Sequence, residues 1–369
     1  MVFAVVTGGG TSGHVLPALA VLEALVDAGE STDDVKYVGS RRGVERSMMA
    51  DSGFECAFLP ISGLQRSLSP RAIFANAALS WRVPISRARA RRLIRAWRPR
   101  VVVSVGGYAS DPMSRAAVSE GVPLVCVSYD RTPGLATRRQ ARHAAVCAVA
   151  FEGSALPRAV HTGAPVRREI IALDIGARRN DARRALGLPE GAKVLTIVGG
   201  SLGSAVLNGL VPQIAARLAD RNGDRFAIYH VCGERNLSTP VPDVPPNVWY
   251  RRVGYASNMV DVYAATDLLV CRAGASTIAE IATMGIASVI VPWSGSAEGH
   301  QELNAHWLGD DGAAIVMDEA SCATPESIEQ IVVTLSSSVA RERLASAARR
   351  KGEVHRGGSL VRAIRDAAR

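Results

Sequence analysis

The sequence contains one local pattern twice: a short β-branched run, a glycine-rich loop, and a stretch with apolar residues at helical spacing. The first copy has its run at residues 2–7, its loop at 8–13 and its helical stretch at 15–28. The second copy begins with KVLTIVGGSLG at 193–203 and continues at 205–219. A strand that enters a helix through a tight glycine turn begins a doubly wound parallel sheet. Each half of the chain is therefore predicted to form a Rossmann-like domain.

Further short apolar runs alternate with helix-like stretches in both halves. They lie at 35–38, 56–59, 101–105 and 124–127 in the first half, and at 226–231, 268–271, 287–291 and 313–316 in the second. This alternation is typical of an α/β protein with parallel sheets. We predict an N-terminal domain at 1–163, a C-terminal domain at 164–340, and helices at 341–369 that return to the N-terminal domain. The ligand site is expected in a cleft between the facing strand ends of the two domains.

Composition and charge limit the class of protein without selecting a function. Hydrophobic residues make up 48% of the chain and charged residues 21%, as in ordered α/β proteins. The six cysteines occur singly, without zinc-type spacing, so we interpret them as reduced core residues. No run approaches the roughly 20 apolar residues of a membrane span, and the start carries no basic leader. We expect a cytoplasmic protein whose net charge of +9 suits an anionic partner: nucleic acid, acidic lipid or a phosphorylated substrate.

The first glycine loop, GGGTSGH at residues 8–14, combines close backbone approach with the free amides of a helix start, which favours an anion such as a diphosphate. Its spacing is neither GxGxxG nor GxxxxGKS/T, so NAD binding and ATP hydrolysis are not supported. A purely structural turn is an equal alternative. His14, directly after the loop, could serve as a base or a hydrogen-bond donor, or could only cap the helix.

Two other segments place glycines after predicted strands. VVVSVGGYASDP ends its strand in two glycines and Tyr108, and VGGSLGS offers Ser201 and the following amides to phosphate oxygens. Both segments suit loops that face a ligand at the open end of a sheet.

The segment RAGASTIAEIATMG carries a candidate ribose ligand. We expect Ser276 or Thr277 to cap a helix with Glu280 in its first turn. The carboxylate of Glu280 would there accept both hydroxyls of a ribose, or would only complete the helix N-terminus. Downstream, GHQELNAHWL brings three polar residues to a helix start, suited to sugar hydroxyls or to capping: His300, Gln301 and Asn304.

Seven segments, taken in order, resemble the MurG family, which adds N-acetylglucosamine to undecaprenyl-diphospho-muramoyl-pentapeptide (lipid I) and so makes lipid II. They are GGGTSGHVLPALAV, VGGYASDP, PGLATR, TGAPVR, GGSLGS, CRAGASTIAEIATMG and HQELNA. The resemblance covers essentially the whole chain. It implies a GT-B fold with two Rossmann-like domains facing each other across a cleft, UDP-GlcNAc as donor, lipid I as acceptor, and inversion by direct displacement without a cofactor.

The resemblance also implies roles for individual residues. It places Thr11, Ser12 and Gly13 near the diphosphate and the acceptor, with His14 and Tyr108 facing the acceptor. On the donor side it places Arg167 and Ser201 on the UDP phosphates, Glu280 on the ribose, the backbone near Tyr255 and Ala256 on the uracil, and Gln301 with His300 beside it on the sugar.

One segment departs from the family pattern. Where the family has HEQN before PGL, this chain has VSYD at residues 127–130, so Ser128 and Asp130 replace a glutamate and a donor-contacting asparagine. Ser12 and Ala164 also differ from the residues that the family commonly has at these positions, but these changes are milder. The transfer needs a base for the acceptor hydroxyl, and we expect His14 in this role, with Asp130 as the second candidate and as a donor contact. No DxD or HExxH motif is present, so no catalytic metal is implied.

Eight arginines lie in residues 82–100 without an acid, directly after the apolar stretch 72–81. This pattern is consistent with a helix pair on anionic lipid and also with a solvated basic helix. The lipid-linked substrate that the resemblance implies favours the interpretation as a membrane contact. We therefore expect a peripheral protein on the cytoplasmic face of the membrane, with cell-wall synthesis proteins as candidate partners. Nucleic acid is not expected, because the segment lacks an interleaved pattern of aromatic residues that could stack on bases. The arginines are Arg82, Arg87, Arg89, Arg91, Arg92, Arg95, Arg98 and Arg100.

Two alternatives stay open on the sequence. A glycolipid transferase or a UDP-GlcNAc 2-epimerase would use the same fold, since fold does not fix function. A non-catalytic binder of UDP-sugar is the second alternative, suggested by the altered VSYD segment.

Overall fold

The computed structural model describes residues 2–41, 45–63, 69, 76, 79–200 and 202–369. These residues form two compact units. Unit 1 consists of Met1–Arg168 with Val354–Arg369, and unit 2 of Glu169–Glu353. The roles of the two predicted domains, acceptor and membrane binding for the first and UDP-sugar binding for the second, stay predictions.

Unit 1 is built on a wholly parallel sheet. Its described strands are β1 Ala4–Thr7, β2 Val35–Ser40, β3 Glu55–Leu59, β4 Val101–Ser104, β5 Leu124–Ser128, β6 Val146–Val149 and β7 Ala159–His161. They lie in the order β3-β2-β1-β4-β5-β6-β7. Every residue of β1, β2, β4 and β5 is buried, as expected of central strands covered by helices on both faces.

Helices connect these strands. They are α1 Ser12–Asp27, α2 Glu45–Met49, α3 Leu79–Trp97, α4 Asp111–Ser119 and α5 Leu135–Ala141. One core cluster joins Ala90 and Ile94 of α3, Met113 of α4, and Val102 and Leu124 of the sheet. Apolar residues of α3, α4 and the sheet therefore pack into one interior.

Unit 2 repeats the same architecture. Its described strands are β8 Lys193–Val198, β9 Phe226–Val231, β10 Val248–Val253, β11 Leu268–Cys271, β12 Ser288–Ile290 and β13 Ile315–Val316. All pairings are parallel, in the order β10-β9-β8-β11-β12-β13.

The helices of unit 2 follow its strands. They are α6 Arg168–Ile171, which crosses the unit boundary, α7 Ile175–Ala185, α8 Ala205–Ala219, α9 Met259–Ala265, α10 Ala275–Met284, α11 His300–Gly309, α12 Pro325–Ser336 and α13 Ser338–Arg356. Side-chain caps define several of the helix starts: Ser204 accepts from the Leu207 amide, and Thr324 accepts from the Ser327 amide ahead of Pro325.

The last helix, α14 Ser359–Ala367, packs on unit 1. It contacts α1, β4, β5 and β6, and buries Leu360, Val361 and Ile364. Arg365 extends the contact by donating to Glu30 Oε1 at 2.8 Å and to the Ala28 carbonyl at 2.6 Å. The predicted return of the C-terminus to the N-terminal domain is confirmed for residues 354–369, whereas residues 341–353 belong to unit 2.

Every apolar run predicted as a strand forms one, but three strands were not predicted: β6, β7 and β10. The residues around β6 are mostly alanine and valine, which suit a helix equally. The three residues of β7 are all exposed, and β10 lies at an edge with a partly polar sequence, VWYRRV. Edge strands lose the hydrophobic signal because they contact one neighbour only. Within the described ranges, no helix is long and apolar enough to cross a membrane.

Two helical glycines give a matched test of the packing in unit 2. A Cβ on Gly352 of α13 would overlap the backbone of Ala282 in α10, whereas a Cβ on Gly209 of α8 would meet nothing within 4 Å. We expect Gly352→Ala to lower the free energy of unfolding by about 1–3 kcal/mol through overpacking. Gly209→Ala should instead raise it by up to about 1 kcal/mol through helix propensity.

Urea unfolding of both variants beside the parent protein measures the two effects. Equal stabilisation by both alanines would contradict the close approach of α13 to α10.

Candidate functional site

Each sheet reverses its strand order once, between β1 and β4 in unit 1 and between β8 and β11 in unit 2. Ligands of open α/β sheets bind beyond the carboxyl ends of the strands at such a switch point. The loops at 8–11 and 105–108 leave the switch point of unit 1, and the described residues 199–200, 202–204 and 272–274 leave that of unit 2. The motifs singled out in the sequence therefore lie where each sheet opens.

Buried side chains form hydrogen bonds with the backbone of the first glycine loop. Tyr37 Oη donates to the Gly8 carbonyl at 2.6 Å, and the Gly10 amide donates to Glu45 Oε1 at 2.7 Å. Glu45 is fully buried, and the ring of Tyr108 packs against Gly10 from the neighbouring loop. Burial and the nearby Glu45 carboxylate both raise the pKa of Tyr37, so its phenol stays protonated and can donate.

His14 occupies the first turn of α1, beside the loop that follows β4. Its Nδ1 lies 3.1 Å from Thr11 Oγ1. Gly107 passes directly over the imidazole: a Cβ at this position would lie 3.3 Å from the His14 ring and would overlap the Gly9 carbonyl oxygen. Gly107 also has φ of 77°, which disfavours other residues. Glycine is therefore required for the loop to approach the histidine.

The electrostatics of His14 favour the neutral imidazole at pH 7. Burial lowers the pKa of His14 below its ordinary value of 6.5, and the negative charge of Asp130 opposes this shift in part. If Nδ1–H donates to Thr11 Oγ1, Nε2 carries the lone pair. That tautomer can accept a proton from a substrate hydroxyl.

A cavity of about 210 Å³ lies in unit 1 beside His14. The end of β5 at Ser128 and the following Tyr129 and Asp130 form one wall, and Gly107 and Thr137 contribute to the rest. The VSYD segment, the glycines after β4 and the histidine after β1 are thus brought together in space, although the sequence separates them widely.

In unit 2, Arg272 connects the two loops of the switch point. It follows β11, donates to Ser204 Oγ at 2.7 Å and forms a salt bridge with Glu319. It also donates to the carbonyls of Val291 and Pro292 at 3.1 and 3.2 Å. Ser204 in turn caps α8. One guanidinium therefore fixes the start of α8 and the loop after β12.

The predicted N-cap of α10, the helix that carries Glu280, was wrong. The N-cap is Gly274, not Ser276 or Thr277, because the helix already begins at Ala275. Glu280 consequently lies in the second turn, so its carboxylate does not complete the helix N-terminus. Glu280 is 8% exposed and accepts a hydrogen bond from Tyr263 Oη at 2.8 Å, which orients the carboxylate.

The polar residues of α11 divide into two kinds. The Gln301 side-chain oxygen accepts from the Trp293 amide at 3.0 Å, so it anchors the loop after β12, where Trp293 is half exposed. Asn304 is fully buried and donates to the Ala273 carbonyl at 3.3 Å, so it positions the loop after β11. His300 begins the helix, as predicted.

The remaining predicted residues are only partly described. Ala256 is buried and Tyr255 is 60% exposed, in the segment after β10. Arg167 lies in unit 1, immediately before α6. Ser201 lies outside the described residues, as does most of the apolar stretch 72–81, and Ser12 is described only as the first residue of α1. The binding roles of all these residues stay predictions.

Two family models match the chain: the glycosyltransferase family 28 N-terminal domain over residues 4–149 and the C-terminal domain over 194–356. A Clavibacter sepedonicus protein named UDP-N-acetylglucosamine–N-acetylmuramyl-(pentapeptide) pyrophosphoryl-undecaprenol N-acetylglucosamine transferase is 36% identical, with 98% of this chain and 95% of the relative covered. A protein of the same name from Halothermothrix orenii is 31% identical, with 99% of each chain covered. The chain belongs to the MurG group of glycosyltransferase family 28.

Solved structures agree with this assignment at the level of the fold. The crystal structure of Acinetobacter baumannii MurG matches with a TM-score of 0.71 and 24% identity, covering 98% of this chain and 99% of that one. A UDP-GlcNAc 2-epimerase from Neisseria meningitidis matches with a TM-score of 0.66 at 13% identity, covering 99% of each chain. This MurG-group chain therefore has the GT-B fold of two Rossmann-like domains, and as a family 28 member it is a glycosyltransferase.

Sequence reasoning missed several residues that build the two sites: Tyr37, Glu45, Tyr129, Arg272 and Glu319. Glu45 belongs to a charged segment, RRGVERS, whose composition indicates an exposed loop. Tyr129 lies in the segment that departs from HEQN, but only Ser128 and Asp130 replace residues with a family role. Arg272 begins the RAGAS motif and could have been singled out by its place directly after a predicted strand.

We expect His14 to titrate below its ordinary pKa of 6.5 in the folded protein. In Asp130→Asn its pKa should fall further, because the negative charge that favours imidazolium is gone. The pH dependence of the ring signals in protein with isotope-labelled histidine measures both values, and loss of one signal in His14→Gln assigns it. A pKa that rises in Asp130→Asn would contradict the electrostatic coupling.

Proposed function

We propose that this protein transfers N-acetylglucosamine from UDP-GlcNAc to the 4-hydroxyl of undecaprenyl-diphospho-MurNAc-pentapeptide, converting lipid I into lipid II with inversion at the anomeric carbon. The observation that carries the proposal is the match to both family 28 domains, together with curated relatives of that name along nearly the whole chain. The chemistry at His14 supports it independently of those names.

In the proposed reaction His14 Nε2 removes the proton from the acceptor hydroxyl as UDP departs. Three features of unit 1 suit this role. Burial keeps the imidazole neutral, Thr11 can hold Nδ1–H, and Asp130 favours the imidazolium that forms. Asp130 is thereby a supporting charge for His14 rather than an alternative base. Tyr108 is proposed to face the acceptor.

The donor is proposed to bind unit 2 at its switch point. Glu280, oriented by Tyr263, would accept the ribose hydroxyls, and the backbone at Ala256 would hold the uracil. Ser201 would meet the phosphates, and Gln301 the sugar. The starts of α8 and α10 add backbone amides and helix dipoles, which stabilise the charge that develops on the leaving UDP.

We also propose that α3 contacts the membrane. One face of this helix carries exposed residues at three- and four-residue spacing: Trp81, Ile85, Arg89 and Arg92. The exposed fraction is 55% for Trp81 and 43% for Ile85. Aromatic and apolar side chains beside arginines suit the interface of an anionic bilayer. Part of the basic charge is neutralised within the protein, because Arg87 pairs with Asp111 and Arg95 with Glu120. The protein would then be peripheral, on the cytoplasmic face.

Release of UDP from UDP-GlcNAc tests the reaction. We expect release only when a lipid I analogue is present, with activity lost as the pH falls through the lowered pKa of His14. His14→Gln should reduce kcat by about 100-fold or more while leaving KM for UDP-GlcNAc nearly unchanged, because a base acts in the transition state. His143→Gln, an exposed histidine after α5, is the control.

The same assay separates the alternatives. Release of UDP without acceptor would favour an epimerase, whose fold this chain shares. Tight UDP binding without any release would favour a non-catalytic binder.

Glu280→Gln tests the ribose contact. Loss of charge-assisted hydrogen bonds to two hydroxyls costs about 1.5–3 kcal/mol, so the Kd for UDP should rise by roughly 10- to 100-fold. Isothermal titration calorimetry measures it, with Glu326→Gln in the exposed first turn of α12 as control. An unchanged Kd with a lowered melting temperature would mean that Glu280 only supports Tyr263.

A further inference from the structure

Helix α1 has a carbonyl group that its own backbone cannot satisfy. Pro17 lies inside the helix, and proline has no amide hydrogen to donate to the carbonyl four residues earlier, which is that of Gly13. The proline ring also pushes that carbonyl away from the helix axis. The Gly13 oxygen therefore needs a donor from elsewhere in the protein.

Tyr129 supplies that donor from a distant part of the chain. Its hydroxyl donates to the Gly13 carbonyl oxygen at 2.8 Å, across 116 residues of sequence. The side chain enters from the segment after β5 and is 7% exposed. A tertiary contact thus replaces the helix hydrogen bond that Pro17 removes.

The same tyrosine contacts the imidazole of His14. The two ring centroids lie 6.2 Å apart with an angle of 68° between the planes, an edge-to-face arrangement. His14 follows Gly13 directly, so one side chain holds the backbone next to the histidine and also covers part of its ring. Both residues line the 210 Å³ cavity of unit 1.

We propose that Tyr129 is a positioning residue for His14: its hydroxyl fixes the first turn of α1 at Gly13, and its ring shields one side of the imidazole from water. The VSYD segment then supports the histidine through its tyrosine, in addition to the charge of Asp130. The other polar groups near the imidazole are Thr11 on its own turn, and Ser128 and Thr137, which line the same cavity. The catalytic consequence of this inference rests on the proposed function, whereas the structural part does not.

Tyr129→Phe keeps the ring and removes the donor. Without the hydroxyl the Gly13 carbonyl has lost its partner, the first turn relaxes, and water gains access to the imidazole. We expect the pKa of His14 to rise towards 6.5. We also expect kcat to fall about 10-fold, with KM for UDP-GlcNAc changed by less than about 2-fold, because the base is misplaced while the donor site is intact.

Two measurements distinguish the outcomes. The first is the titration of the His14 signal in labelled protein, in the parent chain, in Tyr129→Phe and in the control Tyr229→Phe, a buried tyrosine of β9. The second is the pH profile of kcat in the same proteins. A parent chain without transferase activity would sink the proposed function, but the titration would still decide the role of Tyr129. An identical His14 titration in Tyr129→Phe and the parent would overturn this inference.

Pro17→Ala provides a rescue test. Alanine restores an amide that can donate to Gly13, so the helix no longer depends on the tyrosine hydroxyl. In the Pro17→Ala background, Tyr129→Phe should lower kcat by only about 2- to 3-fold, measured as a double-mutant cycle. Strictly multiplicative losses would show that the hydroxyl does not act through this carbonyl.

Discussion

The site of unit 1 depends on two loops that pass each other with no space for a side chain between them. The parallel sheet places β1 beside β4, so the chain segments leaving their carboxyl ends converge. At Gly107 a single added carbon would overlap the carbonyl of Gly9 and press on the ring of His14. Such close packing does not accommodate even one additional carbon atom without a shift of the backbone. The backbone of both loops therefore limits where His14 can lie.

The two switch points use different means to hold loops of similar sequence. In unit 1 the loop after β1 is held by tyrosine hydroxyls and a buried carboxylate. In unit 2 Arg272 holds the loops: its two terminal guanidinium nitrogens reach a cap serine, two carbonyls and Glu319. The first arrangement surrounds a neutral histidine, as general-base chemistry requires. In the second, Ser204 caps the start of α8, whereas the start of α10 at Gly274 has no side-chain cap.

Much of this molecule could be predicted from its sequence because central parallel strands are uninterrupted apolar runs. The runs before both glycine loops, and the helix Ala205–Ala219, were predicted with nearly correct bounds. The edge strands β7 and β10 could not be, since their exposed faces mix polar and apolar residues. At the site, the glycine loops identified His14 and Tyr108. The contacts of Tyr37, Glu45 and Tyr129 arise only when strands distant in sequence become neighbours, and no local pattern contains that information.

The hydrogen bond from the Gly10 amide to Glu45 changes how many donors the first glycine loop can offer to a ligand. A glycine loop at a helix start is usually regarded as a set of vacant donors waiting for a phosphate. Here a carboxylate of the protein itself already occupies one of those donors and adds negative charge under the turn. The loop of unit 1 is in this sense self-liganded. The Glu45 carboxylate therefore leaves fewer amides of this loop for an external anion.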